Sequence, residues 1–155
     1  GDIMRIIVIG LGQTGKALAK ELINAEHEVI VIDTNKTKIE EFTNKYDAIG
    51  IVGNGASKKV QIEAKMKNAD ILIALTSSDE VNLMSSITAK LLGVKYSIVR
   101  ISEEDYIEDE KYLTKYLGID MIVNNEYDTA QEITRLISYP TNINIGAFAN
   151  GMVKS

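Results

Sequence analysis

An α/β fold with a doubly wound, parallel, six-stranded sheet is the architecture this sequence predicts, and three observations predict it. Short apolar runs such as Arg5-Ile6-Ile7-Val8-Ile9 and Ile71-Leu72-Ile73-Ala74-Leu75 lack polar alternation, the pattern of parallel strands covered on both faces. Segments with apolar residues at helical spacing lie between these runs. The first strand runs straight into Gly10-Leu11-Gly12-Gln13-Thr14-Gly15, followed by a helical stretch, Lys16 to Ala25, and a second apolar strand, Val29 to Ile32, that ends on Asp33.

That last unit makes the predicted sheet Rossmann-like and points to chemistry. In a glycine turn of this kind the first glycine permits the tight turn, the second lets the backbone approach a pyrophosphate, and the third lets the helix pack against the strand. The helix that follows carries roughly half a positive elementary charge at its N-terminus, which favours a phosphate there. Asp33 lies 23 positions after Gly10, close to the roughly 20-residue spacing at which a carboxylate meets the adenosine ribose. Such a carboxylate accepts from the 2′- and 3′-hydroxyls and repels a 2′-phosphate. Gly10, Gly12, Gln13, Thr14, Gly15, Asp33 and Thr34 are therefore candidate nucleotide-binding residues. The alternative is a glycine turn kept only for packing.

Further along, Asn35 is placed to cap a helix that carries Ile39, Phe42 and Tyr46 on one side. Ala48 to Val52 is the third strand, and Gly53-Asn54-Gly55-Ala56-Ser57 is a turn at the carboxyl edge of the sheet. Its glycines suit either close approach to a ligand or ordinary loop chemistry, which makes Gly53 and Asn54 candidates. Lys58 to Lys67 reads as a short helix and Ile71 to Leu75 as the fourth strand. Thr76-Ser77-Ser78-Asp79-Glu80 follows, with Ser77 and Glu80 at capping-box spacing for a helix from Val81 to Leu92 that stops at Gly93. Thr76 and its neighbours either cap that helix or line the cleft.

Tyr96 to Ile101 is the fifth strand, with Arg100 near its carboxyl end. There it would either neutralise a phosphate through a bidentate fork or pair with the adjacent acidic segment. That segment, Glu103 to Glu110, holds six carboxylates in eight positions. It reads as the solvated first turn of a helix reaching Gly118, with a divalent-cation site as the sharper alternative. Met121 to Val123 is the sixth strand, and Asn125 to Tyr139 a helix ended by Pro140. Thr141 to Ser155 reads as a linker into a further domain. His27, the single histidine, is expected as a solvated turn residue.

At 155 residues the chain suits one domain, and without cysteine it has no disulfide, thiolate catalysis or zinc-thiolate site, which fits the inside of a cell. No apolar run reaches the roughly 18–20 residues of a membrane span, no signal peptide is visible, and Gly1-Asp2-Ile3 before Met4 reads as a cloning remnant. The net charge of −5, from 17 basic and 22 acidic residues with the lysines scattered, argues against nucleic-acid binding.

The order of motifs resembles the N-terminal nucleotide-binding domain of the RCK/KTN (TrkA-N) family, found in regulatory subunits and gating domains of Trk- and Ktr-type potassium transporters and of potassium channels. The matching pieces are Val8-Ile9-Gly10-Leu11-Gly12 with Gly15, Val31-Ile32-Asp33, Gly53-Asn54-Gly55, Asp79-Glu80-Val81-Asn82-Leu83 and Val99-Arg100-Ile101. Tyr139-Pro140 and Phe148-Ala149-Asn150-Gly151 are similar to the crossover that leads to the family's C-terminal subdomain. The resemblance implies a domain over 4–139, a crossover over 140–155, and a cytoplasmic homodimer that assembles into a ring on a membrane potassium transporter or channel subunit. It implies NAD(H), or alternatively ATP or ADP, as the ligand that changes the ring's shape. Gln13 departs from several ATP-responsive members, which carry arginine at that position. The competing class is the cofactor half of an NAD-dependent oxidoreductase. Hydride transfer needs a substrate pocket and usually a positioned acid or base, for which this chain leaves little room.

Overall fold

The computed structural model describes residues 2–124 and 129–138. Six parallel strands form one sheet: β1 (Arg5–Ile9), β2 (Glu28–Asp33), β3 (Ile49–Val52), β4 (Ile71–Ala74), β5 (Tyr96–Arg100) and β6 (Met121–Val123), in the order β3-β2-β1-β4-β5-β6. The strand order reverses between β1 and β4, so a crevice opens there at the carboxyl edge. The strands are apolar without alternation because both faces are covered. Ile6, Ile7, Val8, Ile71, Leu72 and Ile73 have no exposed surface, and each fully buried aliphatic side chain contributes about 1.5–3 kcal/mol.

On one face, Leu18, Ala19 and Leu22 of α1 (Gln13–Asn24), Ile39 and Phe42 of α2 (Lys36–Lys45), and Ile133 and Ile137 of α7 (Thr129–Ser138) pack against Ile6, Val8, Val31 and Ile73. On the other, Ile7, Ile9, Ile32 and Leu72 meet Ala64 and Met66, together with Ala89 of α4 (Asp79–Leu92). Val99, Ile101 and Ile119 cluster with Leu113. The doubly wound, Rossmann-like expectation holds.

Several local expectations are corrected. The first helix begins at Gln13 rather than Lys16, so the second half of the glycine motif is already helical. The helix expected over Lys58 to Lys67 is α3 (Lys58–Glu63), after which Lys65 turns left-handed (φ 59°) into a 3₁₀ turn at Met66–Asn68. That turn places Met66, with no exposed surface, under the sheet. The acidic stretch is split into α5 (Glu104–Glu108) and α6 (Glu110–Leu117) at Asp109, which lets Tyr106, Ile107 and Leu113 share one apolar cluster. Among the described residues no three acidic or histidine side chains converge to hold a metal ion. No described helix is long and apolar enough to cross a membrane.

His27 is not solvated. It is 7% exposed, its Nδ1 accepts from Met4 N at 3.1 Å, and its Nε2 lies 3.0 Å from Ser138 Oγ. With Nδ1 accepting, Nε2–H donates, and the ring clamps the chain before β1 to the end of α7. Burial lowers its pKa below the ordinary 6.5. The helix expected over Asn125 to Tyr139 is described from Thr129 to Ser138, and its expected ends, Pro140 and the stretch 141–155 lie outside the described residues.

Candidate functional site

At the carboxyl edge, β1 ends and the chain reverses through Gly10, whose φ of +103° excludes an ordinary side chain and whose added Cβ would lie 2.9 Å from Thr76 N. A Cβ on Gly15 would run into Gly10 O, so the third glycine allows α1 to sit against the turn. Gly12 differs from both. Its φ of −72° is open to any residue, and a Cβ there would meet nothing within 4 Å. Gly12 is also the N-cap of α1 and supplies no side-chain acceptor. The next three helices are each capped: Asn35 accepts from Lys38 N, Ser57 from Val60 N and Ser78 from Val81 N. The first-turn N–H groups of α1, which bears no acidic residue there, are left to whatever occupies the crevice.

A cavity of about 560 Å³ lies over this turn, within the roughly 300–1,000 Å³ of small-molecule sites. Of the residues singled out in the sequence, Gly10, Gly12, Asp33, Thr34, Gly53, Asn54, Thr76 and Arg100 line it. Gln13 is exposed, Thr14 half-buried and Gly15 buried in the first turn of α1, and none of the three lines the cavity. Gly55, Ser77 and Ser78, from the two loops the sequence offered as cleft walls, line it as well, and so do Asn35, Lys38 and Val81, which were not singled out as contacts. Lys38 and Val81 reach it from first turns that only the fold aims at the crevice.

The half-buried carboxylate of Asp33 accepts from Leu11 N at 2.7 Å through Oδ2 and from Asn35 N at 2.8 Å through Oδ1. It therefore pins the glycine turn to the end of β2. An ionised carboxylate offers about four lone-pair sites, so two remain for a ligand's hydroxyls. The two glycines after β3 approach the protein itself: a Cβ on Gly55 would collide with Ile9, and one on Gly53 would lie 2.8 Å from Val60 Cγ2. Asn54 closes its own turn by accepting from Ala56 N at 2.9 Å.

Beyond β4, the N-cap of α4 is Ser78, whose Oγ accepts from Val81 N at 3.2 Å, so the expected Ser77–Glu80 capping box is displaced by one residue. Glu80 instead accepts from Tyr106 OH at 2.8 Å, a bond that raises the phenol's pKa. Thr76 lines the cavity while its hydroxyl is engaged within the loop, accepting from Ser78 N at 3.2 Å and lying 2.6 Å from Asn82 Oδ1. Arg100, half-buried at the end of β5, lines the same wall.

The sequence pattern of the TrkA-N domain matches residues 6–125. The chain belongs to the TrkA-N family. A relative from Archaeoglobus fulgidus, "Trk system potassium uptake protein TrkA homolog", is 36% identical over 151 residues, 97% of this chain and 34% of that protein. The chain thus spans about one third of the length of the curated relatives it matches. Among solved structures, the TrkA-N domain of the inner membrane protein ybaL from Escherichia coli superposes with a TM-score of 0.71 at 22% identity, covering 88% of this chain and 99% of that one. The GsuK channel bound to NAD superposes with a TM-score of 0.66 at 20% identity, over 79% of this chain and 21% of that one. At such identities the superpositions speak for the fold of this TrkA-N domain.

Proposed function

We propose that this TrkA-N domain is the ligand-sensing part of a potassium-uptake regulator and that it binds NAD(H) in the cavity over Gly12. The observation that carries the reading is the open space above Gly12, beside helix N–H groups that no side chain caps and within the cleft that Asp33 lines. A diphosphate fits the first, and a ribose diol fits the remaining acceptor sites of Asp33. Gly10 and Gly12 face the phosphates, and Gln13, Thr14 and Gly15, which do not line the cavity, contribute through the backbone N–H groups of the first turn of α1. Thr34, Gly53 and Asn54 flank the adenosine, and Thr76 and Arg100 hold the far half. The neutral, exposed Gln13 disfavours ATP, which stands with ADP as the alternative ligand.

The domain acts without turnover. A ligand shifts a conformational equilibrium by the difference between its affinities for two states, and about 1–3 kcal/mol of coupling is typical. The two states are those of a cytoplasmic ring built from homodimers of the longer protein and docked on a membrane potassium transporter. The domain runs over 4–139 and the crossover over 140–155. In a reconstituted transporter NADH should alter potassium flux, and Arg100→Ala should reduce that response while the ring stays assembled. Nucleotide-independent flux would make the domain a scaffold, and sustained NADH oxidation with an added substrate would make it an enzyme.

A further inference from the structure

The wall of the cleft formed by β4 and β5 is held from behind by one side chain that does not line it. Asn82, on α4, has no exposed surface. Its Oδ1 accepts from Thr76 N at 2.9 Å and lies 2.6 Å from Thr76 Oγ1, and its Nδ2 donates to Thr76 O and to Arg100 O, both at 3.0 Å. All four hydrogen-bonding positions of the amide are used, two as acceptor and two as donor. The pairing of β4 with β5 ends at Ala74 and Val99. Past that point Asn82 spans the gap in place of the next rung, tying the loop after β4 to the end of β5. Its neighbour Asp79 completes the join, accepting from Ser102 N at 3.0 Å and from Glu103 N at 2.6 Å. Leucine could make none of the four contacts, and aspartate could make only the accepting ones.

We infer that Asn82 is a positioning residue for nucleotide binding: its amide fixes Thr76 and Arg100 so that they hold the half of the ligand that lies beyond the glycine turn from Asp33. This rests on the nucleotide reading above. The sheet order makes the division physical, since β2 with Asp33 and β4 with Thr76 flank β1 on opposite sides. A ligand confined to the Asp33 side does not sense Asn82, and one that spans the crevice does.

The test is calorimetry of AMP and of NADH on the 155-residue chain and on Asn82→Asp, with Ser86→Ala as a control. Ser86 is buried on the same helix and bonds Ser97 Oγ at 2.9 Å, outside the cleft. Loss of two buried donations should weaken NADH about tenfold or more in Asn82→Asp while AMP affinity stays within about twofold, and Ser86→Ala should leave both affinities in place. If Asn82→Asp does not fold, Asn82→Ser must show the same split. Equal factors for AMP and NADH, or no change for either, overturn the inference while leaving nucleotide binding standing. Failure of the unmodified chain to bind either probe overturns both.

Discussion

The two edges of the sheet carry hollows of nearly equal size, about 560 Å³ at the carboxyl edge and about 600 Å³ at the amino edge. Volume does not separate them, but chemistry does. Both edges use aspartates to catch backbone N–H groups. At the amino edge Asp70 accepts from Arg5 N at 2.8 Å and pairs with Lys95 at 3.3 Å, and Asp120 accepts from Ser97 N at 2.8 Å and pairs with Lys90 at 2.9 Å. Each of these carboxylates closes a strand start and is neutralised in place. At the carboxyl edge Asp33 also catches two backbone N–H groups, yet no Lys or Arg among the described residues ion-pairs with it. Asp70 and Asp120 each close the fold together with a lysine, whereas Asp33 has two lone-pair sites left beyond its two backbone bonds.

That contrast breaks first at Asp33. Asp33→Ala removes the acceptors proposed for the ribose and frees Leu11 N, so NADH affinity should fall on the order of 100-fold, from two charge-assisted hydrogen bonds at about 1.5–3 kcal/mol each less partial solvent replacement. NADPH should lose less, because the like charge beside its 2′-phosphate goes too. Calorimetry that found both affinities unchanged would sink the ribose assignment.

The opposite edge should behave in the opposite way. Asp120→Ala leaves Ser97 N and Lys90 Nζ without their carboxylate and should lower unfolding free energy by about 1–3 kcal/mol, with NADH affinity unaltered. Denaturant titration beside calorimetry checks both halves of the statement. A loss of affinity as large as that of Asp33→Ala would erase the distinction between the edges.

The smallest effect concerns His27, also at the amino edge. Its native pKa lies below the ordinary 6.5 because burial favours the neutral ring, so between the two values the unfolded chain binds more protons than the folded one. The stability it contributes is complete above 6.5 and is lost as pH falls from there through the lowered native value. Unfolding midpoints measured across that window should decline with acid in the parent chain and decline less in His27→Gln. Parallel declines would place the titration elsewhere.

Much of this was legible in the sequence because it is local. Apolar runs without alternation gave six strands, and the glycine spacing with Asp33 gave the crevice. Asn35 and Gly93 marked helix ends by side-chain oxygen and by left-handed φ. What was not legible depends on which of several eligible groups wins in three dimensions. Ser77, with Glu80 at capping-box spacing, is the better cap on paper, and only the path out of β4 selects Ser78. Gly53 and Gly55 signal close approach without saying to what, and the partners are Val60 and Ile9. His27 looked like a turn residue because Ser138 lies 111 positions away. Asn82 reads as one polar residue in an amphipathic helix until β4 and β5 are placed side by side.

The most direct measurement is NADH titration of the parent chain and of Gly12→Ala, with an unfolding curve for each. Gly12 has an ordinary φ and open space where a Cβ would go, so the methyl group has nothing in the protein to strain and only a ligand to obstruct. The expected result is one NADH site per parent chain, weakened at least about tenfold in Gly12→Ala, with unfolding free energies that differ by no more than the roughly 1 kcal/mol of an alanine at the N-cap. A folded Gly12→Ala that binds NADH as the parent does would contradict a nucleotide lying over the glycine turn.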